Sequence, residues 1–345
     1  MELWWGVTFV VLGGMVAGSH PWPIKVMRKY QFEHWFFVFM VVGYIVLPWA
    51  ITLALCPHAL SAYRSVDYAV LIRANLFALC WAVAALLMAL SFVRIGVGLT
   101  GGIVTGLGAC VGVITPMVFK GSGLFHESPN VNSLAGKTVL AGVAVMLAGV
   151  VLVASAGFGR DRVLRKSERQ VSGFAGGLIM SVLAGILSCG VSFAFVYAQG
   201  PIVLAMKAHG ARDIPAVYAV WAAGLFLGAV ANALYAAHLM TRNKSWGVLF
   251  GSWRELLLSS IIGVHACLCI FFMGRGMLLL GTLGASVGFG IVQAMQMVGN
   301  QGVGFLSGEW RQVHGAPRNR MYLAIVVLIL AAGIMACGSS LSTPP

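Results

Sequence analysis

Charge is scarce in this sequence, and acidic charge is the scarcest of all. Of 345 residues, 9% are charged and only nine are Asp or Glu, whereas 60% are hydrophobic. A soluble protein carries roughly a quarter of its residues as Asp, Glu, Lys and Arg. The shortage of charge therefore excludes an ordinary soluble protein and predicts a protein embedded in a lipid bilayer.

The usual motifs of catalysis and metal binding are also missing. The seven cysteines form no CxxC pair and no Cys/His cluster, so we predict no metal site and no disulfide framework. No nucleotide-binding loop, nucleophile constellation or pair of catalytic carboxylates is visible, which predicts a protein that is not an enzyme and has no cofactor. The net charge of +13 would indicate nucleic acid in a soluble protein. In a membrane protein such charge marks cytoplasmic loops, and we expect no nucleic-acid partner.

Long apolar runs are what the sequence has in abundance. A helix needs about 20 apolar residues to cross the hydrocarbon core of a bilayer, and ten such runs are present, joined by short connections. We therefore predict an all-α integral membrane protein with ten transmembrane helices. The predicted spans cover residues 3–22, 34–56, 69–93, 96–119, 137–157, 173–200, 214–240, 255–279, 282–307 and 320–338.

Basic residues are distributed unevenly among the nine connections. Fifteen of the 22 Lys and Arg residues fall in odd-numbered connections, and the middle one, GRDRVLRKSERQ (159–170), carries five of them. Because Lys and Arg concentrate in cytoplasmic loops, the odd-numbered connections are predicted to be cytoplasmic. With ten spans, both termini then lie on the periplasmic side of a bacterial inner membrane.

Two pairs of segments indicate an internal repeat. GVTFVVLGGMVAGS (6–19) in span one aligns with GLIMSVLAGILSCG (177–190) in span six, and GGIVTG (101–106) in span four has a weaker echo, FGIVQA (289–294), in span nine. The matched spans are five apart, so each half holds five spans. The alternative is that Gly, Leu and Val recur by chance in any membrane helix.

An odd number of spans per half means that the second half enters the membrane upside down. Inverted repeats around a site at the membrane midplane are a common plan of secondary transporters. We predict a first five-helix repeat over 1–157, a basic cytoplasmic connecting loop over 158–172 and a second five-helix repeat over 173–345. A substrate cavity is expected between the halves.

The first connection carries a motif that indicates a family. GSHPWPIKVMRKYQFEHW (18–35), followed by LPWA (47–50), resembles the L-rhamnose–proton symporter family, a ten-helix branch of the drug/metabolite transporter superfamily. SVLAGILSCGVSFAF (181–195) and the Gly-Glu-Trp sequence at 308–310 look similar too, and the resemblance covers essentially the whole chain. It implies two inverted five-helix repeats and a secondary active transporter. Such a transporter imports L-rhamnose, or a related neutral deoxy sugar, together with protons by alternating access.

Two stretches depart from that family. WAVAA (81–85) stands where enteric members have Trp-Gly-Ile-Gly-Asn, and span eight carries His265, Cys267 and Cys269 instead of the polar and aromatic set expected there. Both fall in or near the expected sugar cavity, which leaves the cargo open. One alternative is an exporter of metabolites or an amphiphilic drug with the same architecture. The other is a membrane scaffold or sensor that transports nothing.

Neutral amides inside the predicted spans are the candidates for binding a sugar. Three of them lie three and four residues apart in span nine and form one helical stripe. Amides donate and accept hydrogen bonds, which suits an uncharged polyol better than an ion. Aromatic faces complete many sugar sites, although the same residues serve as core or belt residues, and the amides as bonds between helices. The candidates are Gln293, Gln296, Asn300, Gln199, Asn232, Trp81, Phe193 and Tyr197.

Proton coupling needs a titratable group, and no acid lies at the middle of a predicted span. His265, near the centre of span eight, is the sharpest candidate because an imidazole changes charge near neutral pH. A neutral histidine that only bonds a neighbouring helix is the alternative. Glu33 starts span two close to Lys25 and is interpreted as a latch, an inner gate or a coupling carboxylate. Glu309 at the end of span nine is assigned a matching gate role, and a solvated charge is the alternative for both acids.

Overall fold

The computed structural model describes residues 2–95, 97–118, 130–164, 174–281 and 287–341. Within these ranges the chain is almost entirely helical and contains no β-strand, which confirms the all-α class. The helices are α1 (Glu2–Ser19), a 3-10 helix (Trp22–Val26), α2 (Phe32–Met40), a π-helix (Val41–Val46), α3 (Leu47–Leu55), α4 (Ala59–Ser65), α5 (Tyr68–Ile95), α6 (Val97–Val118), α7 (Leu134–Leu164), α8 (Phe174–Ser188), α9 (Gly190–Ala208), α10 (Asp213–Gly224), α11 (Phe226–Arg242), α12 (Trp246–Phe250), α13 (Trp253–Leu279), α14 (Phe289–Leu306) and α15 (Ala316–Ser340).

Seven helices in the described ranges are long and apolar enough to cross a membrane, so the chain is a multi-pass membrane protein. The pair α10 and α11, bent by 49° between the two helices, passes the same test only when both are taken together as one broken span. Predicted span four coincides with a shorter apolar helix, Thr100–Thr115, and predicted span nine with α14. The total of ten spans therefore stays a prediction. The seven are Leu3–Val26, Phe32–Leu55, Tyr68–Ser91, Leu134–Arg160, Ala175–Ala208, Trp253–Leu279 and Ala316–Gly338.

The chain divides into two compact units, and each is made of several separate stretches. The first unit holds α1, α6, α7, α8, α14 and α15; the second holds α2, α3, α4 and α9 to α12. The boundaries fall inside α5 and α13. The first unit comprises Met1–Ser19, Val83–Cys189 and Gly276–Pro345, and the second comprises His20–Ala82 and Gly190–Arg275.

Helices of the first unit touch through glycines. A Cβ atom at Gly14 of α1 would lie 2.5 Å from the carbonyl oxygen of Val292, and one at Gly299 of α14 would lie 2.7 Å from that of Met15. In α7, a Cβ at Gly142 would lie 2.5 Å from Met335 of α15. Because lipid supplies no hydrophobic drive between helices, small residues that allow such approaches hold membrane helices together.

The glycines of α6 serve mainly the same purpose. A Cβ at Gly106 would lie 3.0 Å from Val150 of α7, and one at Gly112 would lie 2.5 Å from Phe289 of α14. A Cβ at Gly101 would meet no atom within 4 Å. This glycine-rich helix thus packs closely at Gly106 and Gly112, whereas Gly101 borders open space.

In the second unit, predicted span two is a continuous helical run in which a π-helix joins α2 to α3. Gly43 of the π-helix meets Gly263 of α13, where a Cβ on Gly43 would lie 2.8 Å from the Gly263 carbonyl oxygen. A second close approach joins α11 to α5, where a Cβ on Gly228 would lie 2.8 Å from the Ala78 carbonyl carbon. Single π-turns inside α-helices occur frequently at functional sites.

Candidate functional site

The amide stripe of span nine lies on α14 in the first unit. Gln293 is buried, with 7% of its surface exposed, and a Cβ on Gly108 would lie 3.0 Å from its Nε2 atom. Gln296 and Asn300, one and two turns further on, are half-buried. A Cβ on Gly18 would lie 2.7 Å from the main-chain nitrogen of Asn300, so α1 runs alongside this helix. The three amides therefore lie on a side of α14 that is at least partly covered by other helices of the first unit.

The predicted aromatic residues lie in the second unit and are connected by residues that the sequence analysis missed. Phe77 of α5 packs edge-on against Phe193, with ring centres 5.7 Å apart, and tilted against Tyr197 at 6.4 Å. Trp81, one turn after Phe77, meets Tyr44 of the π-helix at 4.8 Å. The spacing of four residues between Phe77 and Trp81 was the available signal, since it places both rings on one helix face.

Arg73, one turn before Phe77, adds a cation to this aromatic group. Its guanidinium donates a hydrogen bond to the Tyr197 hydroxyl and lies 5.8 Å from the centre of the Tyr197 ring. Both contacts fix the orientation of Tyr197 on α9. A phenol oxygen that already accepts from a cation can donate its own proton to a ligand oxygen.

The remaining two predicted amides differ in their partners. The Oε1 atom of Gln199 on α9 is buried and has no hydrogen-bond donor among the described residues. Asn232 on α11 is 3% exposed, and its Nδ2 atom donates to the Met40 sulfur at 3.9 Å. A buried acceptor without a donor costs free energy, and a ligand that donates to Gln199 Oε1 would remove that cost. Asn232, in contrast, packs between helices.

His265 lies on α13 in the second unit and is half-buried. Its Nδ1 atom is 2.9 Å from the Ile261 carbonyl oxygen, one turn back along the same helix. A carbonyl only accepts, so this contact requires the proton on Nδ1 and leaves Nε2 as the acceptor of the neutral ring. Gly263, two residues before His265, is the residue that crosses Gly43, which places His265 close to the contact between α13 and the π-helix.

Glu33 and His34 begin α2 and are buried, with 5% and 1% exposed. Glu33 Oε1 accepts from Asn243 Nδ2 at 2.9 Å and from the Ser245 hydroxyl at 3.5 Å. The main-chain N–H of residue 31 donates to His34 Nδ1 at 3.2 Å, and His34 Nε2 lies 3.1 Å from the Ser245 carbonyl oxygen. Both side chains therefore bind the turn after α11.

Glu255, at the start of α13, is the main residue that the sequence analysis passed over. It is 1% exposed, and its Oε2 atom lies 3.1, 3.4 and 3.5 Å from three consecutive main-chain nitrogens, those of residues 28, 29 and 30. Arg254 reaches its Oε1 at 3.0 Å and the Val26 carbonyl oxygen at 3.2 Å. One carboxylate and one guanidinium thus hold the whole segment that leads into span two.

Tyr30 completes this arrangement. Its hydroxyl donates to the Leu249 carbonyl oxygen at 2.5 Å, and burial, followed by the negative charge of Glu255, raises the pKa of Tyr30 above its ordinary value. Lys25 is an exposed residue of the 3-10 helix. Glu255 binds the main chain of residues 28–30, which follow Lys25 in the same basic segment. We name Tyr30, Glu33, His34 and Glu255 the span-two anchor.

Glu309 lies in the first unit, in the turn after α14. Gly308 adopts a left-handed conformation with φ of 82°, and the N–H of Glu309 donates to the Gly304 carbonyl at 3.0 Å, which is the pattern of a glycine-terminated helix. Glu309 forms an ion pair with Arg160 of α7 at 2.6 Å. The Arg160 guanidinium also lies 5.6 Å from the centre of the Trp310 ring. Glu309 therefore joins the ends of α14 and α7.

The comparisons with known proteins agree along the length of the chain. Residues 2–341 match the family model described as L-rhamnose-proton symport protein. The chain is 26% identical over 341 residues to the L-rhamnose-proton symporter of Cronobacter sakazakii, covering 96% of this chain and 97% of the relative. It is 25% identical over 340 residues to that of Escherichia coli, with 96% and 97% covered. The chain belongs to the L-rhamnose-proton symport protein family.

Proposed function

We propose that this protein imports L-rhamnose, or a related neutral deoxy sugar, together with protons across the bacterial inner membrane. The observation that carries the proposal is the family match over residues 2–341. The relatives from Cronobacter sakazakii and Escherichia coli are both L-rhamnose-proton symporters, and the match to this chain covers 97% of each of them. An exporter with a different cargo is not favoured, because neither relative is an exporter.

The first support is a set of matching glycine contacts that fit an inverted repeat of five spans. Gly14 in span one and Gly185 in span six occupy the same position of the aligned segments. A Cβ on Gly14 would lie 2.6 Å from Met295 of span nine, and one on Gly185 would lie 2.7 Å from Leu107 of span four. Under a shift of five spans, the contact of one with nine becomes the contact of six with four.

A second aligned pair behaves in the same way. A Cβ on Gly6 of span one would lie 3.2 Å from Leu279 at the end of span eight. A Cβ on Gly177 of span six would lie 2.6 Å from Ile95 at the end of span three. In the second unit, Gly43 of span two approaches Gly263 of span eight, and Gly228 of span seven approaches Ala78 of span three. These two contacts also correspond under a shift of five spans. Three matched contact pairs support two inverted repeats over 1–157 and 173–345, joined by 158–172, and thus ten spans.

Each unit supplies its own candidate for sugar contact, and each candidate is tested separately. In the first unit the candidates are the amides of α14. In the second they are the aromatic group and Gln199, whose buried Oε1 lacks a donor among the described residues, and a sugar hydroxyl would supply one. Neutral amides and ring faces bind hydroxyls and C–H surfaces without any charge. The proposed set is Gln293, Gln296, Asn300, Gln199, Asn232, Trp81, Phe193 and Tyr197.

The residues proposed for proton coupling and gating lie in the second unit and in the turn after α14. We propose His265 as the proton carrier, with Glu33 as the second coupling candidate, because His265 keeps Nε2 available and both lie on helical runs that approach at Gly43 and Gly263. Lys25 and Glu309 are proposed as gate residues. The excess of basic residues in odd-numbered connections supports a cytoplasmic position for them and periplasmic termini.

The test is exchange of labelled L-rhamnose in proteoliposomes, competed by a panel of sugars. We expect L-rhamnose and neutral deoxy sugars to compete, and Gln199→Leu to reduce exchange at least tenfold, since the substituted side chain offers no acceptor to the sugar hydroxyl. Asn232→Leu should reduce exchange less, because the Asn232 amide already donates to the Met40 sulfur. Absence of rhamnose exchange by the wild-type protein would contradict the proposal, and competition by amphiphilic drugs alone would favour the exporter.

A further inference from the structure

Two Arg-x-Arg sequences meet in the first unit, one at the end of α7 and one at the start of α15. The first is Arg160-Asp-Arg162 and the second is Arg318-Asn-Arg320. Residues two apart on a helix point about 200° away from each other, so each pair sends its members to different sides. The two members of each pair therefore have different surroundings.

One arginine of each pair is already engaged by the protein. Arg160 binds Glu309 at 2.6 Å and lies over the Trp310 ring. Arg318 donates from Nε to the Tyr322 hydroxyl at 2.9 Å and lies 5.7 Å from the centre of that ring. These two cations are satisfied by a carboxylate or an aromatic face.

The other two arginines line one cavity of about 350 Å³ together with Ser155, Phe158 and Gly159. Arg162 and Arg320 are both exposed, and the ion pairs found among the described side chains involve neither of them. Two like charges beside one cavity repel each other, so an anion between them is favoured by both. Two planar guanidinium groups are the side-chain pattern that holds a phosphate by paired hydrogen bonds.

The cavity also lies beside the ends of two apolar spans. The apolar span Leu134–Arg160 ends two residues before Arg162, and the span Ala316–Gly338 begins four residues before Arg320. Phe158 is 45% exposed beside the cavity, and Gly159 brings α7 close to α15, since a Cβ there would lie 2.8 Å from Pro317. Cations at the end of the apolar span and an aromatic ring one turn deeper match the headgroup and upper acyl chain of a lipid.

We propose that this cavity binds the phosphate headgroup of an anionic phospholipid between the end of α7 and the start of α15. The guanidinium groups of Arg162 and Arg320 donate to the phosphate oxygens, and Phe158 packs against the first carbons of the acyl chains. The Ser155 hydroxyl donates to the Leu152 carbonyl at 2.9 Å, so it is left as an acceptor for a headgroup hydroxyl. The site depends on membrane insertion alone and is independent of the sugar.

The test is the melting temperature of the purified full-length protein in mixed micelles that contain phosphatidylglycerol or phosphatidylcholine. We expect phosphatidylglycerol to raise the melting temperature several degrees more than phosphatidylcholine does, because a ligand that binds only the folded state stabilises it. The Arg162→Gln/Arg320→Gln variant should lose that difference. The Arg242→Gln/Arg311→Gln variant removes two exposed arginines outside the cavity and should keep it.

Inorganic phosphate added to micelles of phosphatidylcholine separates a lipid from a free anion. An equal shift with phosphate would overturn the lipid assignment, and an unchanged phosphatidylglycerol effect in the Arg162→Gln/Arg320→Gln variant would overturn the site. If that variant is not recovered folded, Arg162→Lys/Arg320→Lys takes its place. That variant keeps both charges but loses the paired geometry, and it should show less than half of the shift. A full shift in the lysine variant would count against the proposal.

Discussion

The helices inside the first unit and those inside the second unit are held together by different kinds of contact. In the first unit, helices approach backbone to backbone at glycines, as at Gly14 and Gly299, and the ion pair of Arg160 with Glu309 is partly exposed. In the second unit, three buried titratable side chains, Glu33, His34 and Glu255, bind main-chain and side-chain groups more than 200 residues away. Steric fit between small residues follows local spacing, whereas the position of a buried carboxylate follows from distant partners.

The largest expected effect lies in the first unit. Gly14→Leu places a branched side chain where a Cβ alone would lie 2.5 Å from a carbonyl oxygen, and backbone cannot move away as a flexible side chain can. We expect the variant to be lost as aggregate in size-exclusion chromatography. Gly200→Leu is the control, because a Cβ at Gly200 would meet no atom within 4 Å. This variant should elute as the wild type does. A well-folded Gly14→Leu protein would remove the basis for the packing of α1 on α14.

The second effect breaks the span-two anchor. Glu255→Ala leaves three main-chain N–H groups without their acceptor, and we expect a loss of about 3 kcal/mol of stability. Glu255→Gln keeps one acceptor oxygen and should lose about half as much. Asp213→Asn, at the exposed pair with Lys207, is the control and should leave the melting temperature unchanged. Equal melting temperatures for Glu255→Ala and the wild type would show that the anchor contributes little.

The third effect separates function from stability in the second unit. The hydrogen bond found for His265 among the described residues is to the Ile261 carbonyl of its own helix, so His265→Ala should cost less than about 1 kcal/mol of stability. We expect sugar exchange to persist and accumulation driven by a pH gradient to be lost. Accumulation at the wild-type level would remove His265 from the coupling mechanism.

The smallest effect returns to the first unit and is a gain. Gly101→Ala fills open space in α6 and should stabilise the protein by about 0.5–1 kcal/mol, because alanine favours a helix over glycine by that amount. Gly106→Ala places a Cβ 3.0 Å from Val150 and should gain less or lose stability. Melting temperatures measured in the same detergent distinguish the two, and an equal response would mean that the α6 glycines are interchangeable.

Much of the fold follows from the sequence because hydropathy and small-residue spacing are local. Among the described residues, seven helices long and apolar enough to cross a membrane coincide with seven of the ten predicted spans, and glycines allow close approach at Gly106 and Gly112. The π-helix at Val41–Val46 was not predictable, since no residue in VVGYIV requires it, and the crossing of its Gly43 with Gly263 is a tertiary contact.

The candidate site was predicted only in part. Phe193 and Tyr197 both pack against Phe77, a residue that was not singled out from the sequence. Glu255 was passed over because it starts a span, and only the folded chain brings the main chain of residues 28–30 to it. A carboxylate's partners are set by tertiary structure, so sequence spacing cannot reveal them.

The most direct test of the account is accumulation of labelled L-rhamnose in proteoliposomes with and without an imposed pH gradient. If the protein couples sugar to protons, an outside-acid gradient should concentrate the sugar inside at least several-fold, and a proton ionophore should abolish this. Uptake that stops at equal concentrations on both sides, with or without the gradient, would contradict proton-coupled symport.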